Sequence, residues 1–311
     1  MVKNAKSNIS KRDIFITKRL IMGIRHDLQR SIDQILQSAR VGSYETQDAR
    51  KKMLHLFASD LVKLGYGLRH IKGLQEKHVK AVLKLWINNK VQNSTLKNRM
   101  SVLRFLCKHI NKPTIIKSNE EMGIGRRKYL PTENKAIHNP DFSRITNPYI
   151  YVSLQLQRVF GLRREEAIKI KPHIADKNQY LELSSSWCKG GRSRIIPICT
   201  EEQRYWLEQA KTQAGIFGNS LIPEKKKYIN QRDIYDKQVQ RAGLNNLHGL
   251  RHAYAQNRYK ELTGWNAPIA GGPKSRQLTH EQKQIDNQAK MILSNELGHD
   301  RKFVTSNYIG N

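Results

Sequence analysis

The chain has 311 residues, and its 56 Lys and Arg against 26 Asp and Glu give a formal net charge of +30. An excess of this size, spread over the whole length, favours a polyanionic partner and indicates a nucleic-acid binder. A basic membrane-surface protein would concentrate its charge beside a large apolar face, and no such stretch stands out. No apolar run approaches the ~18–20 residues of a transmembrane helix, and the start lacks a signal-peptide core. We therefore expect a cytoplasmic protein with no membrane partner.

The three cysteines, Cys107, Cys188 and Cys199, stand at unrelated spacings. Neither a CxxC pair nor a zinc pattern is present in the sequence, so we expect reduced thiols and no metal site. The length suits two domains.

The first part of the chain predicts helices. Residues 1–42 are polar and basic, with one amphipathic stretch at helical spacing. Residues 43–112 repeat apolar side chains at three- and four-residue steps, which predicts a small all-helical domain. Its exposed faces are basic, and Lys97, Arg99 and Arg104 are candidate DNA contacts. For any one of them, simple solvation of a helix face is the better interpretation.

The second part mixes helices with two short strands. Residues 113–135 interrupt the helical pattern with proline, glycine and basic residues, which predicts a linker. In the domain from 136 to 311, Lys189 lies on the hairpin that joins two predicted strands, and Thr200 and Gln203 fit a capping box. The predicted strands are 180–183 and 194–198, and further helices are predicted at 227–241, 249–262 and 282–296. The fold class is therefore mainly α, with a small β-sheet in the second domain.

Four side chains of the second domain suit phosphodiester cleavage without a metal. Such a reaction needs cations for the non-bridging oxygens and a proton for the leaving oxygen. Arginine holds phosphate oxygens bidentately and stays charged, and Arg163 and Arg251 are the candidates. Lys189 can reach the leaving 5′ oxygen as general acid, and Tyr308 can form a covalent phosphoryl-enzyme intermediate. Because the reaction conserves bond energy, we expect no ATP, metal or other cofactor.

The order and local sequence of these residues resemble the tyrosine recombinase (phage integrase) family. Each matching segment alone is a weak signal, whereas six roles filled in the family's order make a strong one. The resemblance covers the chain from about residue 149 onward. The insert at about 264–283, with the ending Tyr308-Ile309-Gly310, resembles a subgroup of integrases from proteobacterial mobile elements. The matching segments are Gly161-Leu162-Arg163 with Glu166, Lys189 before Gly190-Gly191-Arg192, His248-Gly249-Leu250-Arg251, Leu297-Gly298-His299, and Tyr308 nine residues after His299.

The resemblance implies further roles and a biological activity. Glu166 would support the site structurally, His248 would assist proton transfer, and His299 would bond a non-bridging phosphate oxygen. The protein would be a two-domain clamp around duplex DNA that integrates or excises a mobile element through 3′-phosphotyrosine intermediates. The active assembly would be a homotetramer on two duplexes at the bacterial nucleoid, with accessory DNA-bending or directionality factors as further partners.

Neighbouring residues leave other assignments open. Arg164 could replace Arg163 in the phosphate clamp, the pair of arginines that would hold the phosphate, although the spacing to Glu166 favours Arg163. His248 and His252 are four residues apart, as in a zinc motif, but position 249 is glycine rather than glutamate. We therefore interpret His252 as a packing residue.

Two further sets of residues are assigned to contacts with DNA or with other protomers. Arg192 and Arg194 are predicted to contact the DNA backbone or solvent rather than to take part in the chemistry. The family usually has a shorter segment where residues 264–283 stand, and only three residues follow Tyr308. Our hypothesis is that 264–283, or residues 1–42, supplies the contact between protomers.

Two other activities are compatible with the sequence. A recombinase-derived regulator would occupy DNA without cutting it, although it would have no need to retain Tyr308 and Lys189 together. A type IB topoisomerase would share the chemistry but relax supercoils as a monomer with little site preference. Relaxation without a defined site would distinguish the topoisomerase from the recombinase.

Overall fold

The computed structural model describes residues 11–126, 131–188, 190–299 and 304–311. Contacts divide the chain into two compact units, Met1–Lys128 and Tyr129–Asn311. Both units are mainly helical, and the second contains a two-stranded sheet, so the predicted fold class is confirmed.

Apolar residues at helical spacing form one core in the first unit. Leu28, Phe57, Val82 and Met100, each from a different helix, are fully buried in this core. The unit therefore packs a shared apolar centre, as the periodicity of 43–112 predicts. Its helices are α1 (Lys11–Ser38), α2 (Tyr44–Lys63), α3 (Glu76–Asn88) and α4 (Asn93–His109), with 3-10 turns at Ile71–Gly73 and Pro113–Ile115.

The ends of this unit differ from the predicted boundaries. Leu28 and Ile32 of α1 are fully buried, and α1 packs against α2. At the other end, Ile124 belongs to the same core. The described part of the predicted 1–42 segment and residues 113–126 of the predicted linker thus pack with the helical unit, whereas Asn134 bonds Gln256 within the second unit. A short apolar stretch does not show which helices it contacts. The sequence pattern therefore places both segments outside the helical domain.

The second unit is built around α5, which is buried on two sides. Leu156 and Phe160 face a core shared with α8 and α10, whereas Ile150 and Leu154 face a cluster shared with α9. The end of α5 thereby lies beside α10. The helices are α5 (Pro148–Phe160), α6 (Arg164–Lys169), α7 (Pro172–Ala175), α8 (Glu201–Ala214), α9 (Tyr228–Arg241), α10 (Gly249–Thr263), α11 (His280–Glu296) and α12 (Ser306–Ile309), and 3-10 turns lie at Ser185–Trp187, Pro268–Ala270 and Ser275–Gln277.

The strands are β1 (Tyr180–Leu183) and β2 (Arg194–Pro197), and they pair antiparallel with Leu183 opposite Arg194. Strand β2 ends at Pro197 rather than at 198, although the Ile198 amide still donates to Gln179 O at 2.9 Å. The capping box at α8 is confirmed: Thr200 Oγ1 accepts the Gln203 amide at 3.1 Å, and Gln203 Oε1 accepts the Thr200 amide at 3.1 Å. The three predicted later helices are present, with α11 beginning at His280 rather than at 282. Across the described ranges, no helix is both long and apolar enough to cross a bilayer.

Candidate active site

The first arginine of the site follows a turn that requires glycine. Gly161 ends α5 with φ of +61°, and a Cβ there would lie 2.5 Å from the ring of Tyr254. Arg163 then precedes α6, and the Glu166 carboxylate accepts both its backbone N–H at 2.7 Å and its Nη1 at 2.8 Å. A quarter of the Arg163 side chain stays exposed. The guanidinium is therefore oriented by its own helix and still accessible.

Glu166 is fully buried and binds a second arginine, Arg194 of β2. Nη1 and Nη2 of Arg194 donate to the two carboxylate oxygens at 2.8 and 2.5 Å. Burial alone would raise the pKa of Glu166. The hydrogen bond and charge of Arg194, and then the charge of Arg163, outweigh burial and lower this pKa to about 2. Glu166 is therefore a carboxylate at neutral pH.

The two arginines of the hairpin differ in exposure. Arg192 is exposed, whereas Arg194 is only 7% exposed and alternates inward together with Ile196. The expectation that Arg194 contacts the DNA backbone or solvent is therefore corrected, because its guanidinium is closed off by Glu166. The expectation for Arg192 remains a prediction.

Arg251, the second expected clamp residue, lies in the first turn of α10 and is almost completely buried. It donates from Nη1 to Gly161 O at 2.5 Å, from Nη2 to Leu297 O, and from Nε to Tyr308 Oη at 3.4 Å. Burial lowers its pKa to about 10, an effect that Tyr308 opposes and the charge of Arg163 reinforces. The group is still a cation at neutral pH.

The two arginines converge on one backbone carbonyl. Leu297 O accepts from Arg251 Nη2 and, at 3.3 Å, from Arg163 Nη2. The chain then turns at Gly298, whose φ is +62° and whose added Cβ would lie 2.9 Å from Cδ of Arg194. Two guanidinium groups are thus held side by side at the end of α11. Such a pair can bind one phosphate through several charge-assisted hydrogen bonds.

Tyr308 lies on α12 among three histidines. Its ring stacks on His299 at a centroid distance of 5.3 Å and packs on His252 at 4.6 Å. Its Oη lies 3.3 Å from Nε2 of His248, and His299 Nε2 lies 3.5 Å from Arg251 Nη2. The phenol oxygen therefore has an imidazole on one side and a guanidinium on the other.

These histidines have lowered pKa values. Burial, then the charge of Arg251, lowers the pKa of His299 to about 3. Burial, then His248, lowers that of His252 to about 4. Loss of solvation and the charge of Arg251 shift the pKa of His248 in the same direction. All three rings are neutral at pH 7, so Nε2 of His248 can accept a proton.

Helix α12 is fixed to its own chain. Gln256 Nε2 donates to the carbonyl of Tyr308 at 3.0 Å. Gly310 has φ of +79°, and a Cβ there would lie 2.9 Å from the backbone nitrogen of Ile269. Segment 264–283 therefore contacts the helix of Tyr308 within one chain, a role that the hypothesis of a protomer contact did not include.

The structure gathers most of the predicted catalytic residues into one cluster. Its members are Arg163, Glu166, His248, Arg251, His299 and Tyr308. Lys189, the predicted general acid, lies outside the described residues. Among those described, there is no group of three or more His, Cys, Asp or Glu that could hold a metal ion.

Sequence reasoning missed two contributors to this cluster. Gln256 follows His248 and His252 at four-residue steps on one face of α10, and this spacing is a signal that could have identified it. The carbonyl of Leu297 has no side-chain signal, because every residue has a backbone oxygen.

The candidate DNA contacts of the helical unit have partners of their own. The guanidinium of Arg99 lies 4.5 Å from the centroid of the Trp86 ring. Arg104 Nη2 donates to Lys117 O at 2.5 Å and to Asn119 Oδ1 at 3.0 Å. Arg104 thus helps to hold the segment after α4. A role of these residues and of partly exposed Lys97 in DNA binding stays a prediction.

Comparisons with known proteins agree with this arrangement. A family model described as "Phage integrase, N-terminal" matches residues 26–116, and one described as "Integrase" matches 133–257. The XerH site-specific recombinase bound to palindromic difH substrate has a similar fold, with a TM-score of 0.55 and 15% identity over 91% of this chain and 81% of that one. The Tn1549 transposon integrase in complex with circular intermediate DNA gives 0.51 and 14%, over 91% and 95%. No curated protein matches the chain in sequence.

Proposed function

Because the chain belongs to the tyrosine recombinase (phage integrase) family, we propose that it cuts and rejoins duplex DNA through a 3′-phosphotyrosine intermediate. Membership makes the protein a DNA-binding site-specific recombinase or integrase. The integrase match ends at residue 257, before the proposed nucleophile, Tyr308. The observation that carries the proposal is therefore geometric: Tyr308 Oη lies 3.3 Å from His248 Nε2 and 3.4 Å from Arg251 Nε.

The proposed cleavage step is an in-line displacement at phosphorus. Tyr308 Oη forms the new bond to phosphorus while the bond from phosphorus to the 5′ oxygen breaks. His248 Nε2 takes the phenol proton, and Lys189, assigned from the sequence, gives a proton to the leaving 5′ oxygen. The products are a 3′-phosphotyrosine and a free 5′ hydroxyl, and rejoining reverses each transfer. Since one phosphodiester replaces another, the proposed step needs no ATP.

Two cations would stabilise the charge that develops on the non-bridging oxygens. Arg163 and Arg251 lie side by side through the Leu297 carbonyl. His299, neutral and 3.5 Å from Arg251, would donate to one of these oxygens. Fixed donors aimed at developing charge are usually the largest single contribution to catalysis of this kind. We propose that these groups take the place of a metal ion.

The proposal extends to the biological reaction. We propose that the protein integrates or excises a mobile element, acting as a homotetramer on two duplexes through a Holliday junction, with accessory DNA-bending or directionality factors. The comparison with a transposon integrase on circular intermediate DNA supports this outcome. If six or more phosphates are contacted, affinity should fall by roughly 10³-fold between about 50 and about 200 mM salt.

Covalent trapping tests the chemistry. Wild type, Tyr308→Phe and Tyr205→Phe are incubated without divalent metal with nicked suicide substrates taken from the ends of the encoding element. Tyr205 is 54% exposed and lies outside the cluster, so its variant controls for loss of a phenol elsewhere. We expect a DNA adduct in a denaturing gel with wild type and Tyr205→Phe and none with Tyr308→Phe.

Each other outcome would favour a different function or a different nucleophile. Tight binding without an adduct on any end sequence would favour the non-cutting regulator. An adduct that survives Tyr308→Phe would mean that another residue is the nucleophile. Relaxation of supercoiled DNA lacking the element's ends would favour a type IB topoisomerase.

A further inference from the structure

Three elements of the second unit meet at the side chain of Arg194. Its Nη1 and Nη2 bind the carboxylate of Glu166, near the start of α6. Its Nε donates to the carbonyl of Glu296 at 2.9 Å, at the end of α11. The Cys188 Sγ lies 3.4 Å from Nη1, just before the hairpin. One guanidinium group thus joins β2, α6 and α11.

The partners of Arg194 are also the supports of the clamp. Glu166 orients Arg163, and the residue after Glu296 is Leu297, whose carbonyl accepts from both Arg163 and Arg251. A displacement of Arg194 would therefore shift Arg163 through the Glu166 carboxylate. It would shift Arg251 through the Leu297 carbonyl.

We propose that Arg194 is a positioning residue of the recombinase, which sets the spacing and orientation of the phosphate clamp without contacting DNA. The inference rests on the function proposed above, and it concerns how the clamp is built rather than which residues cleave. Arg194 is 7% exposed and bonded on three sides, so contact with a DNA phosphate is blocked.

The role requires arginine rather than any cation. A planar guanidinium can bind both carboxylate oxygens of Glu166 and direct Nε to a third acceptor, whereas an ammonium is a point charge on a flexible stem. The close fit at Gly298 is consistent with this requirement: a Cβ there would lie 2.9 Å from Cδ and 3.5 Å from Nε of Arg194. The turn that carries His299 therefore lies directly on the arginine side chain.

Single-turnover cleavage at saturating DNA is the principal test. The variants are Arg194→Lys, Arg194→Gln and, as a matched control, Arg204→Gln, which breaks the ion pair between Arg204 of α8 and Asp176 outside the cluster. We expect the cleavage rate to fall on the order of 10²-fold in both Arg194 variants, because a misplaced clamp loses catalytic alignment. The DNA affinity should be unchanged in all three variants, and Arg204→Gln should cleave at the wild-type rate.

A double-mutant cycle separates positioning from general structural damage. Because Arg194 acts in part through Arg163, the rate loss of the double variant Arg194→Lys, Arg163→Lys should be smaller than the product of the two single losses. Losses that multiply would mean that the two residues act independently. Such a result would overturn the proposal.

The pH profile gives a second readout. The charged or titratable groups near Glu166 are Arg163, Arg194, Arg251, Cys188 and His248. In Arg194→Gln, burial of Glu166 is opposed by fewer positive charges, so its pKa rises. Protonation would then release Arg163. The ratio of wild-type to variant rate should therefore grow as the pH is lowered from about 8 to about 5.

The controls distinguish failure of this inference from failure of the proposed function. No adduct with wild type would refute the function itself. A wild-type adduct with full activity in Arg194→Lys would refute only the positioning role. If both Arg194 variants are already unfolded at the assay temperature in a thermal denaturation experiment while Arg204→Gln is folded, Arg194 is needed for folding. The positioning role is then likewise rejected.

Discussion

The phenol oxygen of Tyr308 lies 3.3 Å from Nε2 of His248, and the pKa of this histidine is lowered by loss of solvation and by the charge of Arg251. A neutral imidazole at hydrogen-bond distance from a nucleophile is an acceptor for its proton. The arginines that would bind the phosphate therefore also keep the proton acceptor in its reactive form.

Replacement of this imidazole should slow cleavage without weakening binding. We expect His248→Gln to lower the single-turnover rate by about 10²- to 10⁴-fold, the usual contribution of a general base. The wild-type rate should fall in acid as His248 becomes protonated, below its usual pKa of 6.5. This acid limb should be missing from the pH profile of the variant. An unchanged rate in His248→Gln would exclude the residue as proton acceptor.

The residues after Tyr308 should control the position of the Tyr308 side chain, the proposed nucleophile. Gly310 has φ of +79° and ψ of −166°, a conformation that is essentially restricted to glycine, and it packs on Ile269. We expect Gly310→Ala to reduce the cleavage rate about 10- to 100-fold with normal DNA affinity. Gly218→Ala is the control, since Gly218 has φ of +91° but nothing lies within 4 Å of its added Cβ. Equal rates in both variants would contradict a role for this contact.

Acid should destabilise the second unit through His252, whose pKa is lowered from 6.5 to about 4. Because the unfolded chain binds this proton more readily, the stabilising contribution is complete above about pH 6.5 and is lost as the pH falls to about 4. The expected loss is on the order of 1–3 kcal/mol. Urea unfolding at several pH values should show a smaller pH dependence in His252→Gln. An identical pH dependence in that variant would assign the effect to other groups.

Helix α1 should contribute directly to the stability of the helical unit. Ile32 is fully buried, so Ile32→Ala should lower the free energy of unfolding by about 2–5 kcal/mol. Ile21, on the same helix, is 44% exposed, and Ile21→Ala should cost much less. Urea unfolding of the two variants, followed by far-UV circular dichroism, measures the difference. Equal effects of the two substitutions would show that α1 is not part of the cooperative unit.

Much of the second unit could be predicted because its signals are local. The strand pattern at 180–183, the capping box of Thr200 and Gln203, and the glycine turn before Arg163 each depend on neighbouring residues. The assembly of His248, His299 and Tyr308 came from their order and spacing within a family pattern. Local patterns thus predicted the elements, and the resemblance to the family predicted which residues would lie together.

What the sequence did not reveal depends on contacts between distant segments. Arg194 was assigned to the surface by its charge, although its alternation with buried Ile196 indicated the inner face of the strand. Its carboxylate partner, Glu166, is 28 residues away. The packing of α1 had the same difficulty, since nothing local to Ile32 identifies α2 as its neighbour.

The clustering of positive charge around Glu166 has a thermodynamic consequence. Arg163, Arg194 and Arg251 lie near this buried carboxylate, and their mutual repulsion helps to lower the pKa of Arg251. An oxyanion that binds between Arg163 and Arg251 would relieve part of this repulsion, and it would bind the folded chain in preference to the unfolded one. Ligand binding of this kind raises folding stability. The substrate phosphate would thus act as a folding ligand, and the recombinase would be most stable when engaged with its site on DNA.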